Sequence, residues 1–72
     1  MNTLRVFDVV AILHDLPEKN IIRGQVGTII EKLDDNVFEV EFVNKSGETI
    51  SIETLTGNEL FQLHFELENS KA

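Results

Sequence analysis

Cysteine, tryptophan and tyrosine are absent from the 72-residue chain, and proline occurs once. Without cysteine there is neither a disulfide nor a thiolate metal site. The fold is therefore held by its core alone, or by a partner that helps. Basic residues are scarce: 6 Lys and Arg stand against 13 Asp and Glu, a formal charge of −7. That balance opposes non-specific binding to nucleic acid or to an anionic membrane, since both need a basic surface. No apolar run approaches the roughly 18 residues of a membrane-spanning helix. Residues 1–10 carry Arg5 and Asp8 among their apolar side chains and lack the pattern of a signal peptide. The expected location is the cytoplasm, so the glycosylation-like triplet Asn44-Lys45-Ser46 reads as a turn. A chain this short buries only about 60% of its unfolded surface. Little room remains for a pocket of roughly 300 Å3 or more, and an independent enzyme is not expected.

What is present is a set of short β-rich segments. Hydrophobic residues make up 42% of the chain, enough for one small core, and residues 1–72 read as a single domain with an ordered core over about 5–67 and a frayed tail over 68–72. Turn-forming clusters at residues 15–20, 34–36, 44–47 and 56–58 separate runs rich in Val, Ile and Phe. Such spacing predicts an all-β barrel or sandwich. Val37–Val43 is the clearest strand, with Phe38, Val40 and Phe42 alternating against Glu39 and Glu41. Glu48–Glu53 follows, with Ile50 and Ile52 on one face and Thr49, Ser51 and Glu53 on the other. Gly47 can take the positive φ of a tight hairpin between these strands. Val26–Lys32 alternates less cleanly, because Val26, Ile29 and Ile30 do not share a face, which predicts a bulge or burial on both sides. Asp8–Leu13 is apolar on both faces. Near the C-terminus, Thr56 and Glu59 have the spacing of a capping box. A helical turn over residues 58–61, leading into a last strand that carries Phe61, Leu63, Phe65 and Leu67, satisfies both signals.

Chemical motifs are few. His14 and His64 are the only imidazoles, and they lack the spacing of a metal site. Glu39 and Glu41 share a strand face about 7 Å apart by the strand rise, without an evident cleft to raise either pKa. They read as a solvated or interacting surface and not as an acid–base pair. Gly24 and Gly27 bracket a tight turn, since the flanking segments are strands and no Walker lysine follows. No metal or other cofactor is expected.

Five strands, a long first loop and a helical turn before the last strand describe an SH3-like barrel. The run Arg23-Gly24-Gln25-Val26-Gly27-Thr28 resembles the turn of translation and transcription barrels that carry the KOW motif. The chain also resembles a small bacterial family of unknown function, DUF4926. The residues that carry the likeness are Asp8-Val9-Val10, Leu16-Pro17-Glu18, Arg23 to Thr28, Glu39-Val40-Glu41-Phe42 and Gly47-Glu48-Thr49, over roughly Phe7 to Leu63. The resemblance implies a small stand-alone protein of no established activity. By association with neighbouring toxin-like proteins, it also implies a candidate antitoxin or immunity role.

The expected function is therefore a non-enzymatic protein-binding module that holds a larger, basic partner. Glu39, Glu41 and Glu53 would form an acidic face with Asp34 and Asp35 at an adjoining turn. Such a face speeds association with a basic partner by electrostatic steering. Phe65 and Leu67 would form an apolar strand edge that binds a partner or a second copy. Two alternatives are a KOW-like binder of RNA, ribosome or polymerase, with Arg23, Lys32 and Lys45 on phosphate, and a structural subunit of an enzyme complex.

Overall fold

The computed structural model describes residues 4–64. They form five strands: β1 (Val9–Ile12), β2 (Val26–Asp34), β3 (Val37–Val43), β4 (Thr49–Thr56) and β5 (Leu60–Gln62). All neighbours run antiparallel in one sheet of order β4-β3-β2-β1-β5. The class is all-β, with short 3-10 turns at Pro17–Lys19 and Gly57–Glu59. The order is compatible with an SH3-like barrel, but no ladder joins β4 to β5 among the described residues. The sheet is thus open in hydrogen-bond terms among the described residues. Phe65, Leu67 and the tail over 68–72 lie outside the described residues.

One face of the sheet makes the core. Val10, Ile12, Ile29, Phe38, Val40, Phe42, Leu55 and Leu60 are buried on it, joined by Leu4 and by Ile21 from the first loop. β3 keeps the expected boundaries, with Phe38, Val40 and Phe42 inward. The bulge expected in β2 falls between Ile29 and Glu31, where Ile29 faces Val40 and Glu31 faces Glu39. Ile30 is the extra residue, which is why its side chain breaks the alternation.

β4 differs from the expected Glu48–Glu53. It starts one residue later and runs to Thr56, because Leu55 supplies the strand's core residue opposite Phe38. Ile50 and Ile52 are both exposed: Ile52 pairs with Glu41 on the outer face, away from Ser51, Glu53 and Leu55, and Ile50 is the extra residue of a bulge between Thr49 and Ser51. Gly47 has φ +84° in the β3–β4 turn. The Asn44 side chain closes that turn, its Oδ1 accepting the N–H groups of Ser46 and Glu48 at 2.9 and 3.0 Å.

Gly24 has φ +92°, as a tight turn requires. Gly27 corrects the expectation of a two-glycine turn, for it lies inside β2 opposite Phe42. Its role is close approach. A Cβ there would sit 2.8 Å from Val40 Cγ1, 2.9 Å from the Glu41 carbonyl oxygen and 3.0 Å from Phe42 Cδ1.

The capping box forms at the end of β4, where Glu59 Oε2 accepts the Thr56 N–H at 2.9 Å. The helical turn occupies Gly57–Glu59 and not 58–61, because Leu60 already has extended backbone and starts β5.

Candidate functional site

Residues directly opposite in the ladder share a face of the sheet. On the outer face one row therefore runs Ile52 (β4), Glu41 (β3), Thr28 (β2) and Val9 (β1). The Leu63 N–H continues it by donating to the Val9 carbonyl at 2.9 Å. A neighbouring row runs Val26, Ala11 and Phe61 across β2, β1 and β5. On the other side, Glu31, Glu39 and Thr54 line up across β2, β3 and β4. The outer face is thus acidic over β2 and β3 and apolar over β1, β5 and the start of β2. Phe61 is 59% exposed and Val26 47%, while Ile52, 50% exposed, stands apart on β4 beyond Glu41 and Thr28. In a monomer, a contiguous exposed apolar patch with a polar margin marks an interaction surface.

The acids are held in place by their neighbours. Glu39 Oε2 accepts the Thr54 hydroxyl at 3.1 Å, and Glu41 Oε2 accepts the Thr49 hydroxyl. Both bonds cross from β4 to β3 and fix the carboxylates against the sheet. The sequence places these residues correctly as a pair on one face.

Glu53 does not join them. It pairs with Val40 in the ladder and so shares the core side of the sheet. There it meets Lys19 from the first loop, Nζ to Oε2 3.5 Å, and accepts a bond from Ser51. The reason is register: Glu53 faces Val40, which is even-numbered and inward, whereas Glu39 and Glu41 are odd-numbered and outward. Asp34 and Asp35 lie at the β2–β3 turn, where Asp34 Oδ1 accepts the Asp35 N–H at 2.8 Å. They adjoin the acidic rows without entering them.

Phe7 was not singled out by the sequence. It stands immediately before β1, is 78% exposed and has φ 77°. A left-handed backbone is unfavourable for a bulky residue by about 1–2 kcal/mol, and such strain concentrates at functional positions. Its N–H donates to the Ile29 carbonyl at 2.7 Å, while the Asp8 carboxylate accepts the Arg5 N–H at 2.9 Å to close the turn. No periodicity in the sequence signals this, because the conformation is set by the turn and not by the residue.

Arg23, Lys32 and Lys45 do not converge. Lys32 faces Phe38 at one end of β3, and Lys45 sits in the turn beyond the other end. The intervening strand spans about 20 Å at the usual rise. Arg23 lies in the first loop, its N–H donating to Asp15 Oδ1 at 2.7 Å. That loop bounds an open hollow of about 300 Å3, a size the short chain was not expected to hold, lined by Asp15, Pro17, Asn20, Ile21 and Ile22. Its one acid is already bonded to the loop backbone.

His14 and Glu59 join the end of β1 to the turn before β5, His14 Nε2 to Glu59 Oε1 2.7 Å. The hydrogen bond to Glu59, then the one to the Asp15 carbonyl, raise the His14 pKa above its ordinary 6.5. Partial burial works against ionisation of Glu59, but the Thr56 N–H, the His14 ring and the Thr56 hydroxyl outweigh it and hold its pKa below the ordinary 4.5. A raised folded-state histidine contributes stability that is full below 6.5 and is lost as pH rises through the raised value. The lowered Glu59 contributes above 4.5 and loses that contribution as pH falls through its lowered value. The latch is therefore strongest between 4.5 and 6.5. Urea titrations at a series of pH values should show the midpoint falling as pH rises above 6.5, and His14→Gln should flatten that slope. An unchanged slope in the variant would remove the latch from the account.

No curated protein and no solved structure gives a significant match to the chain. The family described as Domain of unknown function (DUF4926) matches residues 6–62, which take in all five strands and both halves of the outer face. The chain belongs to the DUF4926 family.

Proposed function

We propose that the chain is a non-enzymatic, cytoplasmic protein-binding module that holds a larger partner on the outer face of its sheet. The observation that carries this is the continuity of that face. Glu41 and Thr28 stand in one cross-strand row with exposed Ile52 and with Val9, next to the row of Val26 and Phe61. Acid and apolar surface side by side suit a partner that offers basic and apolar groups together. The acids steer the encounter, and the apolar positions supply the burial that holds the complex. Accessory and inhibitor proteins of the antitoxin or immunity type work in this way against basic targets. Binding through phosphate contacts has less support, because Arg23, Lys32 and Lys45 are spread over separate parts of the fold.

Capture of partners from the native host with the tagged full chain tests the proposal. A single stoichiometric protein is expected with the unaltered chain. Glu39→Lys with Glu41→Lys should abolish its capture, whereas Glu18→Lys with Glu48→Lys, the same charge change off the face, should retain it. Equal retention by both variants would overturn the acidic half of the face. Ribosomal material or RNA in place of a protein would overturn the proposal.

A further inference from the structure

We propose that β4 is an open edge that accepts an added strand from a basic protein partner, an extended segment with Lys or Arg at alternate positions. The inference rests on the reading of Glu39 and Glu41 as a binding face, and it names the form and chemistry of what binds there.

The two ends of the sheet are unlike. β5 runs only over Leu60–Gln62 among the described residues, while β4 runs over eight residues, Thr49–Thr56. β4 pairs with β3 on one side and with no strand on the other among the described residues. An edge of this length presents a row of backbone N–H and C=O groups that another strand can satisfy. Folded proteins usually protect such an edge with Lys, Pro or a covering element. The segment Thr-Ile-Ser-Ile-Glu-Thr-Leu-Thr contains no Lys, Arg or Pro, and its own protection is limited to a bulge at Ile50 and the inward charge of Glu53. Thr49 and Thr54 are engaged across the outer face with β3, on Glu41 and Glu39, so they do not cap the edge.

Charge selects the occupant. A second copy would bring another seven net negative charges. Pairing β4 with its own copy about the middle of the strand would also bring Glu53 close to its counterpart on the inner side, the inward charge that discourages self-pairing at edges. A basic strand meets the opposite situation. Added strands lie about 4.8 Å from their neighbour, which puts Glu39 and Glu41 about 10 Å from the new backbone. A Lys or Arg on the outer side lays its aliphatic stem over exposed Ile50 or Ile52 and carries its cationic head toward Glu41 or Glu39. The apolar stripe on β4 and the acids on β3 are then used by one side chain.

The test uses the full chain and three synthetic peptides of about ten residues: alternating Lys and Thr, the same with Glu in place of Lys, and the Lys peptide N-methylated at alternate positions. Amide hydrogen exchange read by NMR is expected to slow at least tenfold at alternate β4 positions with the Lys peptide only. Glu39→Lys with Glu41→Lys should abolish that protection. Unchanged β4 exchange with the Lys peptide overturns the proposal. Equal binding of the N-methylated peptide, lost in the Glu39/Glu41 variant, overturns strand addition while leaving the acidic face standing. Protection by the Lys and Glu peptides alike overturns the basic occupant, and with it the acidic-face reading.

Discussion

Phe38→Ala should remove about 3–5 kcal/mol of folding stability, the usual range for deleting a buried phenyl ring. A chain of this length has about 4–11 kcal/mol in total. The substitution is therefore expected to remove from about a quarter of the folding free energy to all of it. Phe38 is 1% exposed and faces Leu55 across the β3–β4 ladder. Leu55 is the only residue β4 contributes to the buried core, so the cavity would open where β4 is fastened to the rest of the molecule. Little can collapse into it, because the sheet holds the backbone on both sides. Far-UV circular dichroism during urea unfolding is the measurement, since the chain has no Trp or Tyr to report by fluorescence. A loss under about 1 kcal/mol, within the range of ordinary surface substitutions and small repacking, would show that the core does not depend on this residue.

Gly27→Ala should cost about 1–3 kcal/mol, the usual penalty for overpacking, although it adds only a methyl group. The new Cβ would stand 2.8 Å from Val40 Cγ1 and 2.9 Å from the Glu41 carbonyl oxygen. The first clash is with a side chain and can be relieved. The second is with backbone in the middle of β3 and cannot be relieved without moving the ladder. Val40→Ala should therefore not rescue Gly27→Ala, and the two costs should add or worsen in a double-mutant urea series. Rescue to better than either single variant would place the constraint on the side chain and contradict the close-approach account. The same displacement would move Glu41, so the variant is also expected to weaken partner binding.

The sequence and the fold agree most closely where only one face is apolar. Val37–Val43 alternates Phe38, Val40 and Phe42 against two glutamates, and burial follows that alternation. Agreement weakens where both faces are apolar. In Val9–Ile12 the alternation separates Val9 and Ala11 from Val10 and Ile12, but only pairing with β2 and β5 decides which set is inward. That choice leaves Val9 and Ala11 outside, beside Val26 and Phe61, and creates the apolar half of the candidate face. Ile50 and Ile52 mislead for a different reason, since only one face of their segment is apolar. They look like core residues, yet the register with β3 turns Ile52 outward beside Glu41, leaves Ile50 exposed at a bulge and buries the sequence-distant Leu55. Glu53 follows the opposite course, from an expected member of the acidic face to a partner of Lys19 on the core side. Gly27 was legible as a required glycine, although its reason is close strand packing and not a turn. The strained backbone of Phe7 left no trace in composition or period, because it arises from the Arg5–Asp8 turn meeting β2.

The most direct test of the central claim is a methyl NMR spectrum of the full chain with and without its captured partner. The account predicts that the methyl signals of Val9, Val26 and Ile52 on the outer face shift or broaden on binding, while those of buried Ile29 and Val40 stay in place. Perturbation confined to Ile21 and Ile22 beside the first-loop hollow, with the outer-face methyls unmoved, would contradict it.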